Sequence, residues 1–185
     1  MGRRTARADD QTPDPDGSFG AAGRLIIATR FEDMWRHHSG TLEGDADALH
    51  DMRVGSRRLR AALDVFAPAF HGGEYRRLHH ATKRLTDELG AVRDHDVMLG
   101  RLRRYRKAAP RGERAGIEDL SAALTVERTV ARLGLVQFFA RLDDDGYAAR
   151  MRRLCESGAD AYPRRTAGRH KHGREATRVE AVSHD

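Results

Sequence analysis

Apolar positions recur along this chain at helical spacing, and no run of alternating apolar and polar residues marks a strand. Leu25, Ile26, Phe31, Met34 and Trp35 are the apolar positions of a helix predicted over about 23–38. Residues 39–45 read as a loop, with Asp45 or Asp47 placed to cap a second helix that continues to about Phe66. Pro68 and the pair Gly72 and Gly73 mark a turn. The next helix starts near Glu74. Its stripe of Leu78, Leu85, Leu89 and Val92 repeats at offsets of seven, eleven and fourteen, and it can run to Arg106, with Gly90 a point of bending or close packing. A break at 108–112 precedes a helix over 113–133, with Ile117, Leu120, Leu124 and Val130 apolar. Residues 135–142 look helical and largely buried, 143–146 interrupt, and 147–156 add a last turn or two. Residues 1–21 and 157–185 lack apolar periodicity and read as a disordered N-terminal segment and a disordered basic tail. The expected architecture is therefore all-α, an antiparallel bundle of long helices over 22–156.

The second predicted helix is unusual in its polar half. At about 100° per residue, Met52, Leu59, Leu63 and Phe66 fall on one side and His50, Arg53, Arg57 and Arg60 on the other. Like charges on one face repel, and a bound polyanion would offset that cost. The following helix repeats the theme, with Arg76, His80, Lys83 and Asp87 opposite its leucines.

Composition sharpens this picture. The 185 residues carry a formal net charge of +6, and the isoelectric point is about 10.1. Such a balance favours acidic partners: nucleic acid, phosphate polymers or an anionic surface. Arginine supplies nearly all the positive charge, since Lys83, Lys107 and Lys171 are the only lysines. Arginine donates through a planar fork that matches phosphate oxygens. Heavy arginine and alanine usage also follows from a GC-rich bacterial genome, but base composition does not place arginines on one helical face. Cys155 is the sole cysteine, which excludes an intramolecular disulfide and fits a reducing compartment. With no apolar signal core and no membrane-length apolar run, a cytoplasmic protein without a membrane partner is expected.

The run His50-x-x-Arg53-Val54-x-x-Arg57-Arg58-Leu59-Arg60-Ala61 resembles the signature of CHAD domains, the conserved-histidine α-helical domains. A second element, Lys83-x-x-x-x-x-Leu89-Gly90-x-x-Arg93-Asp94-x-Asp96-Val97, follows in the order that family shows. The resemblance covers about 22–156. It implies a helical protein that binds inorganic polyphosphate along a basic channel, with some relatives associated with polyphosphate granules and others fused to triphosphate-processing domains. His50, Arg53, Arg57, Lys83 and Arg93 would be polyphosphate contacts, with Arg58 and Arg60 flanking them. Family members usually carry a second half with its own cationic helix. No such signature follows residue 150, so a homodimer is one way to supply the missing wall.

The chemistry expected is binding without catalysis and without a cofactor. Residues at i, i+3 and i+7 span about 10–11 Å along a helix, enough for a few successive phosphates. Affinity should fall with salt and rise modestly at acidic pH, where His50 adds charge. Asp87, Asp94 and Asp96 allow several readings: Asp94 orienting Arg93 or another arginine, a pair holding magnesium, ion pairs with Arg101 or Arg103, or a cap after Gly90. His79, His80 and His95 lack the spacing of a zinc site, and no metal is expected. No P-loop or paired acid cluster accompanies His50 to suggest phosphoryl transfer. The competing readings are a binder of nucleic acid or another polyanion, and an accessory subunit of an enzyme that processes phosphate polymers.

Overall fold

The computed structural model describes residues 19–70 and 72–156, and every regular element among them is helical. The order is α1 (Phe19–Trp35), α2 (His38–Glu43), α3 (Ala46–Phe66), α4 (Gly73–Ala108), α5 (Arg114–Asp144) and α6 (Tyr147–Glu156), with 3-10 turns at Ala67–Ala69 and Arg111–Glu113. The expected all-α fold is what the chain adopts. The segments 1–18 and 157–185, read above as disordered, lie outside the described residues. Phe19 to Ala21, placed in that N-terminal segment by the sequence, instead open α1.

Local chemistry explains most boundaries. The Asp45 carboxylate accepts from the backbone N–H groups of Asp47 (2.8 Å) and Ala48 (3.3 Å), so Asp45 caps α3. Gly44, at φ 96°, takes the left-handed conformation that closes α2. Residues 39–45 are therefore not a loop: most of them form this short helix. α4 runs unbroken through Gly90, and α5 joins what the sequence reads as two helices into one of 31 residues.

The core is one cluster. Ile27, Phe31 and Met34 of α1 meet Met52, Leu59 and Leu63 of α3, Leu78, Leu85 and Leu89 of α4, and Leu135 and Phe139 of α5. Tyr147 and Met151 of α6 complete it. Thr82 Oγ1 donates to the Leu78 carbonyl (2.8 Å), so its contact with Tyr147 (2.7 Å) has the tyrosine hydroxyl as donor, and both buried hydroxyls are satisfied.

α5 departs from its expected stripe. Ile117 is buried and Leu124 half-buried, but Leu120 and Val130 are 50% and 64% exposed. The helix is apolar on more than one side, and the side that packs inward carries Leu135, Phe138, Phe139 and Leu142. No described helix is long and apolar enough to cross a membrane.

Candidate anion-binding face

α3 and α4 pack side by side, and two contacts between them fix an antiparallel register. At one end Arg53 Nη2 lies 3.5 Å from Asp94 Oδ1. At the other, His79 Nε2 lies 2.8 Å from Asp64 Oδ1. Between these contacts α3 carries Arg57 and Arg60, and α4 carries Lys83, Asp87 and Gly90. The two helices thus bring residues of both sequence motifs to one groove.

Core packing aims this face outward. Met52, Leu59 and Leu63 are fully buried, which turns the opposite side of α3 to solvent. His50, Arg57 and Lys83 are exposed, and Arg53 and Arg60 are half-buried at the α4 edge. His50, Arg57 and Lys83 have no hydrogen-bond or ion-pair partner among the described residues. The Arg57 and Lys83 charges are available to a ligand. Arg60 is loosely held, with Nε 4.0 Å from Asp64. Exposed pairs of this kind are worth about 0–1 kcal/mol, so a phosphate can displace them at little cost.

The groove is not purely cationic, because Asp64, Asp87 and Asp94 share it. Asp64 also acts on the buried Tyr75, whose hydroxyl donates to the Leu63 carbonyl. Burial, with the Asp64 charge adding to it, pushes the Tyr75 phenol up to about 12. This end of the groove is a fixed structural corner.

A family model described as the CHAD domain matches residues 25–182. The chain belongs to the CHAD domain family. No curated protein matches the chain, and no solved structure does. The CHAD match continues past residue 156 into the basic segment that the sequence reading set apart as a tail, so that segment belongs to the family match as well. The family is associated with polyphosphate binding.

Of the expected CHAD contacts, Arg53 reaches α4 through Asp94, Lys83 lies on α4 between the two register contacts, Arg60 is half-buried, and His50 and Arg57 are exposed on the same side of α3. Arg93 is half-buried, its helical position lying between Leu89 and Gly90, and it has no partner among the described residues. Arg58 does not join them. It lines a different cleft, between α1 and α3, with Arg30, Asp33, Arg36, His37 and Asp51. Neighbours in sequence on a helix are about 100° apart, and that step carries Arg58 away from Arg57 to the α1 side.

The aspartates divide. Asp94 faces Arg53, which fits the reading in which it orients an arginine of the face. Asp96 instead accepts from Arg128 Nε of α5, so neither pairs with Arg101 or Arg103. Among the described residues no group of three His, Cys, Asp or Glu side chains is placed to hold a metal ion. Burial pushes the Cys155 thiol up to about 11, which keeps it protonated and unreactive near neutral pH.

Sequence reasoning missed two features. The Asp64–His79 contact joins residues fifteen apart on different helices, and no single-helix wheel displays it. The cation run from Arg101 to Lys107 stands in the sequence as the end of a helix and as ion-pair partners for Asp94 and Asp96, with nothing there to mark it as a surface of its own.

Proposed function

We propose that this CHAD domain is a non-enzymatic binder of inorganic polyphosphate and that the α3–α4 groove is its contact surface. The observation that carries the reading is the convergence of the two motifs. His50, Arg53, Arg57 and Arg60 share one side of α3, Lys83 lies on α4 between the Arg53–Asp94 and His79–Asp64 contacts, and His50, Arg57 and Lys83 have no partner among the described residues. A linear polyanion laid along the groove meets arginine forks and a lysine point charge in succession. Nothing in the arrangement reads a base or a sugar, which suits a repeating phosphate chain. The proposed setting is cytoplasmic, with polyphosphate granules as a place of association.

The test is binding of the purified chain to long-chain polyphosphate near physiological salt, with excess double-stranded DNA as competitor. Binding that persists under DNA supports the reading, whereas displacement by DNA supports a general nucleic-acid binder. Phosphate release on incubation with polyphosphate and magnesium would overturn the non-enzymatic part.

A further inference from the structure

The buried line of α4 changes character along its length. Leu78, Leu85, Leu89 and Val92 face the core. Continued at the same three- and four-residue steps, that line becomes Asp96, Gly100, Arg103 and Lys107. Asp96 is taken up by Arg128, and beyond it the line is open and cationic.

The register explains why. The Arg53–Asp94 contact sets α3 against α4, and α3 begins only two turns before Arg53, at Ala46. α4 therefore outruns α3. Its end and the start of α5 stand as a two-helix arm, where from Arg103 to Gly116 only Ala109 is buried. Gly100, Arg103, Arg104, Arg106 and Lys107 line a surface depression on this arm.

Arg106 is committed to Glu118 of α5. Arg101, Arg103, Arg104 and Lys107 have no hydrogen-bond or ion-pair partner among the described residues, although Glu113 and Asp119 lie on the same arm. Cations in the last turn of a helix are favoured by the helix dipole. That accounts for Lys107 and leaves Arg101, Arg103 and Arg104, which lie before the last turn, with Arg101 facing Arg104 at i,i+3 and Arg103 facing Lys107 at i,i+4, spacings at which like charges repel. Gly100 adds no side chain to the depression: a Cβ there would meet only the tip of Arg104, at 3.8 Å.

We propose that Arg103, Arg104 and Lys107 form a second phosphate contact, which takes up the part of a long polyphosphate chain that runs on beyond the α3–α4 groove. The proposal rests on the polyphosphate reading of that groove. Arg104 lies ten residues beyond Asp94 on one continuous helix, about 15 Å along the axis and about 80° around it. A long polymer spans that distance and tripolyphosphate does not. Occupying both patches with one molecule raises affinity through effective concentration, so the arm acts as a selector for chain length.

The experiment compares three intact chains: wild type, Arg103→Ala/Arg104→Ala/Lys107→Ala, and Arg53→Ala/Arg57→Ala. Each is confirmed helical by circular dichroism and titrated with tripolyphosphate and with long-chain polyphosphate at several salt concentrations. The expected result is that the arm variant loses about tenfold or more in the ratio of long-chain to tripolyphosphate affinity. Its salt dependence for the long chain should also flatten by about two to three ions, one for each lost contact. An unchanged ratio and unchanged salt slope in a folded arm variant overturn the proposal. If the arm variant abolishes long-chain binding while Arg53→Ala/Arg57→Ala leaves it intact, the groove reading fails and the arm is no extension of it. A wild type that binds neither ligand overturns both.

Discussion

Arg53 reaches from α3 to Asp94 of α4 across the point where α4 has a glycine: a Cβ added at Gly90 would sit 3.9 Å from Arg53 Nε. The Leu89-Gly90 step of one motif thus makes room for the arginine of the other. That distance is ordinary van der Waals contact, so alanine fits. Gly90→Ala should stabilise the protein by about 0.5–1 kcal/mol through helix propensity and leave polyphosphate binding in place. Gly90→Leu should push the Arg53 guanidinium out of the groove and weaken binding several-fold. Urea unfolding and polyphosphate titration of both variants check this. Equal binding by the two variants would show that Gly90 does not govern where Arg53 sits.

Gly55 should respond with the opposite sign. It lies on α3 against α1, where a Cβ would come within 2.9 Å of Met34 Cα. Backbone cannot yield as a side-chain tip can. Gly55→Ala should therefore part α1 from α3 and destabilise by about 1–3 kcal/mol, against a propensity gain of about 1 kcal/mol. The measurement is the shift of the unfolding midpoint, and a gain in stability like that expected for Gly90→Ala would contradict the close approach.

His38 stacks on Trp35, with ring centroids 4.5 Å apart, and meets Phe139 edge-on at 4.6 Å. Burial holds the imidazole below its ordinary range, with Asp143 opposing at 3.7 Å. Above about pH 6.5 the ring is neutral in both folded and unfolded chains and contributes no pH dependence. As pH falls through that value the unfolded chain takes up a proton first, so stability is lost. The advantage of wild type over His38→Gln should shrink as pH is lowered from about 7.5 to 5.5. Trp35 is the only tryptophan, so its fluorescence reports the site directly. A stability difference that stays constant across that range would contradict the burial account.

Arg57 and Arg58 are adjacent in sequence but serve different surfaces. Arg57→Ala should weaken polyphosphate binding several-fold. Arg58→Ala, on the α1 side with Asp33 and Asp51, should change it by less than about twofold, because the lost charge acts at a distance and is screened at physiological salt. Matched losses in the two titrations would mean that the α3–α4 groove has no special part in binding.

Features fixed by local chemistry were legible in the sequence. Asp45 caps, the turn at Pro68 and Gly72 and the break at 108–112 turn the chain, and the Met52, Leu59 and Leu63 stripe finds the core, because each depends on a few neighbouring residues. The α2 helix was not legible. Six residues closed by Gly44 are too few to show a period. Nor was the buried side of α5, since Val126, Val130 and Leu133 make its opposite side apolar as well, and Leu120, in line with the buried Phe138 five turns on, is exposed. The candidate face was legible as a composition of one helix side. Its partition was not. That Arg58 turns to α1, that Arg53 meets Asp94, and that Asp64 meets His79 all depend on how α1, α3 and α4 pack together.

The central claim is that a defined groove, and not general positive charge, binds polyphosphate. The most direct test is a pair of double variants that remove the same charge from opposite sides of α3. Arg53→Ala/Arg57→Ala strips the groove, and Arg36→Ala/Arg58→Ala strips the α1 cleft. Long-chain polyphosphate is titrated against each, and against wild type, near physiological salt. The predicted result is a loss of tenfold or more for the groove pair and less than about threefold for the cleft pair. Equal losses from both pairs, with both proteins folded, would contradict the account and leave only diffuse attraction to a basic protein.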